Sequence, residues 1–414
     1  MDKTFYKSHV KREIRAISSK SEAHRYLICA ALGDRVCEIV CTDTNADIDA
    51  TAECLNALGA DIQRTADGFL VNPISEIRKN QILDCNESGS TLRFLLPLAS
   101  ALGANCQFIM RGRLANRPLS PLYELLCSNG MSLSPQGVSP LEVKGKIPAG
   151  NYSVAANVSS QYISGLLFAL SVAEGDSTLT LEEKIESAPY IGMTLDALLA
   201  FGANVTFDES TGAFKIKGKR RLTSPERLTV GGDWSNAAFP LVAGAIGESS
   251  VNVYGLDLNS RQGDRRILTV LQRMGALITY NNDSITVHPS PLSGIEIDAA
   301  DIPDLVPILA VAASVANGET RIFNAARLRL KESDRIESVC STLSSLGAEI
   351  IATNDGMIIR GQKILSGGTV DSYNDHRIAM SAAIASLVCS SPVTISGFEA
   401  INKSYPTFLN CWEE

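Results

Sequence analysis

Four short stretches of the 414-residue chain gather Lys, Arg, Ser and carboxylates beside small residues, the mixture needed to hold anions and move protons. The first is ISSKSEAHRYLICAAL (17–32), in which Ser18 or Ser19 caps a helix whose opening turns carry Lys20, Ser21 and Arg25. Backbone N–H groups left open at a helix start, with a lysine beside them, make an anion site. The second, CNESGSTLRFLLPLASAL (85–102), sets Ser88-Gly89-Ser90-Thr91 ahead of an apolar helix, and Gly89 lets a ligand approach the backbone closely. It lacks the spacing of a nucleotide P-loop. The third, RLRLKESDRIES (327–338), surrounds Glu332 and Asp334 with Arg327, Arg329, Lys331 and Arg335, with Arg321 nearby and a predicted helix start at Ser333. The fourth, SYNDHRIAMSAAIAS (372–386), puts Asp375, His376 and Arg377 ahead of an apolar helix, at the end that favours anions. Taken singly, each stretch also reads as a capped helix or a solvated charged face.

Composition narrows the setting. The chain carries 37 Lys+Arg against 45 Asp+Glu, a formal net charge of −8 and a pI near 5.3, which argues against general affinity for nucleic acid or acidic membranes. An anionic ligand must therefore be met by a local basic pocket. Ten cysteines are scattered without a CxxC pair, as expected of reduced, buried thiols in the cytoplasm. The four histidines, His9, His24, His288 and His376, lie too far apart for a local metal motif, so no metal is expected. The start has no apolar core of signal-peptide length, and no apolar run approaches a membrane span.

The elements that position these stretches follow from self-similarity. LNALGADIQRTADGFLV (55–71) reads as a helix end, a stop at Gly59, a strand, a turn at Asp67-Gly68 and a second strand. The same pattern returns four times, with its helix-ending glycine at 130, 202, 275 and 347, at successive intervals of 71, 72, 73 and 72 residues. Such a period predicts six α/β units in the 414 residues, three to a domain, the last closed by the chain termini. The pattern breaks near Gly231-Gly232, which serves as a backbone pivot or as a tight turn.

Together, and in this order, the stretches resemble the enolpyruvyl transferases, in their shikimate branch. The resemblance is carried by GSTLR (89–93), SSQY (159–162), RLKESDR (329–335) and YNDHR (373–377), and it runs from Lys20 to Lys403. It implies an α/β fold of two domains, each of three βαβαββ units. Residues 1–18 plus 232–414 would form the domain containing both termini and 19–231 the inserted domain, with the active site in the cleft between them. The activity it implies is transfer of the enolpyruvyl group of phosphoenolpyruvate to the 5-hydroxyl of shikimate 3-phosphate, on the route to chorismate and the aromatic amino acids. Phosphate leaves through a tetrahedral addition–elimination intermediate, without cofactor or metal. The implied partners are these two small molecules, with no nucleic acid and no membrane, and the implied enzyme is a cytoplasmic monomer.

Residue by residue, the resemblance implies that Lys20 contacts both substrates, and that Ser21 and Arg25 take the shikimate carboxylate. Ser159 and Ser160 would hold the shikimate phosphate, with Gln161 between the ligands and Ser187 and Tyr190 lining the shikimate side. Gly89 and Arg117 would hold the phosphate of phosphoenolpyruvate, Arg335 and Arg377 its carboxylate, and Lys403 would close on it. Asp304 would serve as base near the 5-hydroxyl and Glu332 as acid for the methylene carbon, with Lys331, Lys20 and Arg327 close by. Glyphosate would compete with phosphoenolpyruvate beside Gly89.

Five positions depart from the family pattern: Ile17-Ser18 stands for Pro-Gly, Glu87 for Asn, Arg327 for Asn and Phe94 for Pro. Two alternatives compete. A UDP-N-acetylglucosamine enolpyruvyl transferase would carry a reactive Cys in the loop before Arg117, and RGRLANRPL (111–119) has none. A non-catalytic binding protein of the same fold would not need the acid–base set.

Overall fold

A computed structural model describes residues 1–7, 9–183 and 185–412. The chain divides into two compact units, Ser18–Val230 and Met1–Ile17 with Gly231–Glu414. Each has a hydrophobic core of its own.

The Ser18–Val230 unit contains helices α1 (Lys20–Ala31), α2 (Ala46–Leu58), α3 (Gly89–Leu102), α4 (Leu122–Ser128), α5 (Ser160–Ser171) and α6 (Ala188–Ala200). Its three sheets share one strand order. In the first, Cys37–Val40 pairs in parallel with Arg227–Thr229 and antiparallel with Gly68–Asn72, which carries Asp61–Arg64 at the edge. Ile82–Asp84, Cys106–Ile109, Leu141–Lys144 and Ser132–Leu133 repeat that order, as do Asn151–Ala155, Ser177–Glu182, Ala213–Lys217 and Asn204–Asp208. Along Cys37–Val40 alternate side chains are buried, so one face of the sheet covers the core.

The other unit contains α7 (Trp234–Ile246), α8 (Ile267–Arg273), α9 (Val306–Ser314), α10 (Arg335–Ser345) and α11 (His376–Ala385). Two four-stranded sheets repeat the order, centred on Val251–Tyr254 and Glu319–Phe323. The third has three strands, because Val393–Ser396 pairs with the N-terminal strand Lys3–Phe5 instead of a hairpin. This arrangement, a mixed α/β fold of repeated small sheets, is the expected class. Two edge strands are exchanged within the repeat: Glu13–Arg15 precedes α1 but pairs with Val251–Tyr254, whereas Arg227–Thr229 precedes α7 but pairs with Cys37–Val40.

The glycines that set the period hold positive φ, from +66° at Gly202 to +118° at Gly59, where a side chain would be strained and helices stop. Gly232 has a different cause. A Cβ there would lie 2.2 Å from the Gly255 carbonyl oxygen, so close backbone packing within its own unit requires a glycine here. Helices α3 and α5 are buried nearly all round. They approach closely through Gly165, whose Cβ would lie 2.3 Å from the Arg93 carbonyl oxygen, the acceptor left without its helical donor by Pro97. Among the described residues no helix is long and apolar enough to cross a membrane.

Candidate active site

In the Ser18–Val230 unit the basic and hydroxyl side chains gather at helix N-termini. Ser19 caps α1, accepting from the Glu22 N–H, and Lys20 follows it with Nζ 2.8 Å from Asp47 Oδ2 in the first turn of α2. Arg25, one turn on, is 3% exposed. Its Nε donates to Thr194 Oγ1 at 2.9 Å, its Nη2 to the Tyr190 carbonyl at 2.9 Å and its Nη1 to the Ser21 carbonyl at 2.5 Å, while Phe94 lies under the guanidinium at 5.1 Å. No carboxylate pairs with it among the described residues, and burial lowers its pKa to about 10. A buried guanidinium in that state favours an arriving anion.

Ser88 caps α3 and accepts from the Thr91 N–H at 3.2 Å, and the amides of Gly89 and Ser90 belong to the first turn, where no helical carbonyl accepts from them. A Cβ built on Gly89 would lie 2.5 Å from Arg93 Nη1 and 2.8 Å from Arg117 Nη1, so two guanidiniums flank this glycine. Arg93 Nη1 donates to Gln161 Oε1 at 3.2 Å and Gln161 Nε2 to Ser90 Oγ at 3.0 Å, tying the start of α5 to the start of α3. Ser159 caps α5, Ser160 opens it, and Ser187 stands at the start of α6 in a left-handed conformation.

In the other unit one arginine organises the cluster. Arg335, 1% exposed, donates from Nε to Asp375 Oδ2 at 2.7 Å, from Nη1 to Asp304 Oδ1 at 2.8 Å and from Nη2 to Glu332 Oε2 at 2.6 Å. Burial disfavours its charge, but Asp375, Glu332 and Asp304 outweigh that and hold its pKa above that of an ordinary arginine. Arg377 Nη2 lies 3.2 Å from Asp304 Oδ2, and Lys331 Nζ lies 3.6 Å from Asp304 Oδ1. Burial pushes the Asp304 carboxyl up, yet Arg377, Lys331 and Arg335 together hold it well below the usual carboxylate range. Arg327 donates to the Ala300 carbonyl at 2.7 Å, and Lys403 Nζ to the Asn374 carbonyl at 2.7 Å. Helix α10 starts at Arg335 with Asp334 as its cap, two residues beyond the expected start at Ser333, because Asp334 accepts from the Glu337 N–H.

Lys20, Ser21, Arg25, Gly89, Arg117, Ser159, Ser160, Gln161 and Ser187 thus belong to one unit, and Asp304, Arg327, Lys331, Glu332, Arg335, Arg377 and Lys403 to the other. A family model described as EPSP synthase (3-phosphoshikimate 1-carboxyvinyltransferase) matches residues 6–412. The chain belongs to the EPSP synthase family. A 3-phosphoshikimate 1-carboxyvinyltransferase from Clostridium kluyveri is 42% identical over 404 residues, covering 97% of this chain and 93% of that protein. One from Clostridium novyi is 41% identical over 418 residues, covering 98% and 95%. The solved EPSP synthase from Acinetobacter baumannii superposes with a TM-score of 0.81 at 26% identity, covering 99% of this chain and 97% of that one.

Three members of the clusters go beyond the residues the sequence singles out for the EPSP synthase site. Asp47 pairs with Lys20, Arg93 flanks Gly89, and the fully buried Asp375 binds Arg335 through both oxygens and accepts from the Arg377 N–H at 3.0 Å. Arg93 lies inside GSTLR, and its charge within an apolar helix was the available signal. Asp47 and Asp375 look like ordinary acids at helix starts.

Proposed function

We propose that this protein transfers the enolpyruvyl group of phosphoenolpyruvate to the 5-hydroxyl of shikimate 3-phosphate. The observation that carries the reading is the pair of carboxylates, Asp304 and Glu332, bonded to a single buried guanidinium at 2.8 and 2.6 Å, with Arg377 and Lys331 against Asp304. A simple binder of anions has no use for two carboxylates among its cations. A reaction that adds a proton to a methylene carbon and removes one from a hydroxyl does.

In this reading the 5-oxygen bonds to C2 of phosphoenolpyruvate as its C3 gains a proton, giving a tetrahedral intermediate. Loss of phosphate from C2 and of one proton from the new methyl group then forms the enol ether. Glu332 delivers the methylene proton and Asp304 accepts the hydroxyl proton. At rest Asp304 is a weak base because three cations face it; a substrate carboxylate taken by Arg335 and Arg377 supplies a competing negative charge and raises its basicity. Lys20, Arg117, Gly89 and Gln161 bind the phosphate end of phosphoenolpyruvate, and Lys403 closes on it. Ser21, Arg25, Ser159, Ser160 and Ser187 hold shikimate 3-phosphate, with Arg327 and Lys331 beside its ring. The net charge of −8 makes these local cations necessary for two anionic substrates. The enzyme acts as a cytoplasmic monomer on these small molecules, and glyphosate competes for the phosphoenolpyruvate position.

Phosphate release from phosphoenolpyruvate, followed with shikimate 3-phosphate or with UDP-N-acetylglucosamine as acceptor, tests the proposal. Release with the first acceptor alone is expected. Release that requires the second overturns it.

A further inference from the structure

Behind the ligand-facing ends of α1, α2 and α3 runs a chain of polar side chains that the reaction itself does not use. His24 Nδ1 lies 2.7 Å from Thr51 Oγ1, Thr51 Oγ1 lies 2.6 Å from Thr91 Oγ1, and Thr91 Oγ1 donates to Ser88 Oγ at 2.7 Å. All four side chains are fully buried. The order of protons can be deduced. Each hydroxyl has one proton to give, and that of Thr91 goes to Ser88, with the Asp47 carbonyl at 3.4 Å as its other acceptor. Both acceptors direct it away from Thr51. Thr51 must then donate to Thr91, and Thr51 in turn must receive a proton from His24 Nδ1–H. A charged ring would donate from Nδ1 equally well, but burial, then Lys20 and Arg25, hold the His24 pKa well below its usual value and so favour the neutral imidazole. Nε2 is then a bare lone pair, and it is buried with no hydrogen-bond partner.

The chain ends on Ser88, the cap of the helix whose first residue is Gly89. Ser88 Oγ accepts from both the amide and the hydroxyl of Thr91, so its lone pairs are committed to the third residue of the turn. The amides of Gly89 and Ser90 are thereby kept for a ligand. Thr51 lies one turn beyond Asp47, the partner of Lys20, and His24 lies one turn beyond Lys20 itself. The geometry points to His24, acting through Thr51 and Thr91, as a positioning residue that sets the start of α3 for the phosphate of phosphoenolpyruvate. This inference rests on the enolpyruvyl-transfer reading above.

The decisive variant is Thr51→Val, which keeps the shape and removes the hydroxyl that joins His24 to Thr91. Loss of such a hydrogen bond predicts a rise of about 3- to 10-fold in the KM for phosphoenolpyruvate. The KM for shikimate 3-phosphate should stay within about twofold, and Thr51→Ser should restore the wild-type value, because the two substrates draw on different groups. A purely structural role would move both constants together and would not be rescued by the hydroxyl alone. Nitrogen-15 spectra of wild-type protein give a second measurement that needs no variant: His24 should carry its proton on Nδ1. An unchanged phosphoenolpyruvate KM in Thr51→Val, an equal rise in both constants, or an Nε2–H tautomer overturns the proposal. Wild-type turnover is measured first and judges the enzymatic reading separately; if that fails, the tautomer still decides the direction of the relay.

Discussion

Replacing Gly89 with alanine separates ligand binding from stability. The new Cβ would sit 2.5 Å from Arg93 Nη1, 2.8 Å from Arg117 Nη1 and 3.1 Å from Arg117 Cζ. Ordinary non-bonded contact begins near about 3.5 Å, so the Arg93 tip must retreat by about 1 Å and the Arg117 tip by about 0.7 Å. Both are ends of flexible side chains, and Gly89 has ordinary helical backbone, where alanine is the better helix former. The melting temperature should therefore hold or rise slightly. Binding has less tolerance: the Arg93 Nη1 to Gln161 Oε1 bond is already 3.2 Å, and a retreat of about 1 Å breaks it or drags Gln161 along. Loss of one hydrogen bond from a charged group, about 1.5–3 kcal/mol, corresponds to a rise of about 10- to 100-fold in the phosphoenolpyruvate KM. Glyphosate, proposed above to use the same place, should weaken by at least as much. Steady-state kinetics against varied phosphoenolpyruvate, with and without glyphosate, beside thermal melts, provide the check. An alanine variant with wild-type KM and wild-type inhibition would refute the argument, as would one whose activity falls only because it unfolds.

Three further outcomes follow from the charge clusters. Glu332→Gln keeps an acceptor for Arg335 but loses the titratable proton, so kcat should fall by about 100- to 10,000-fold while shikimate 3-phosphate still binds in calorimetry; near-normal turnover would remove Glu332 from the mechanism. The folded pKa of Asp304 lies below its unfolded value, so its stabilising contribution is complete above about pH 4 and is lost as pH falls through the folded pKa. The gap in melting temperature between wild type and Asp304→Asn should accordingly be widest near neutrality and close in acid, and a gap unchanged from pH 7 to pH 3 would contradict the assigned charge. Arg25→Met removes a buried cation that forms no ion pair with a carboxylate among the described residues, so the ligand-free protein should be at least as stable as wild type while losing shikimate 3-phosphate binding; a large drop in melting temperature would show that the arginine serves the fold.

The repeat was legible because a helix that stops into a strand needs a left-handed residue, and the glycines at 59, 130, 202, 275 and 347 supply it at regular spacing. The exchange of Glu13–Arg15 and Arg227–Thr229 was not, because three residues of alternating burial carry no information about which distant strand they join. Lys20, Arg25, Arg335 and Arg377 stand out as cations in the opening turns of helices. Asp47 and Asp375 do not, since an acid in a first turn is explained by the helix dipole and only proximity to Lys20 or Arg335 gives it another meaning. His24, Thr51 and Thr91 lie on three different helices, and their linkage appears only once those helices have packed.

Incubation of the protein with shikimate 3-phosphate and phosphoenolpyruvate labelled with carbon-13 at C2 tests the central claim most directly, with the label followed by NMR. The expected result is a labelled enol ether carbon joined to the 5-oxygen of the shikimate ring, formed one for one with inorganic phosphate. Labelled pyruvate in its place, or no change in either substrate, would contradict the account.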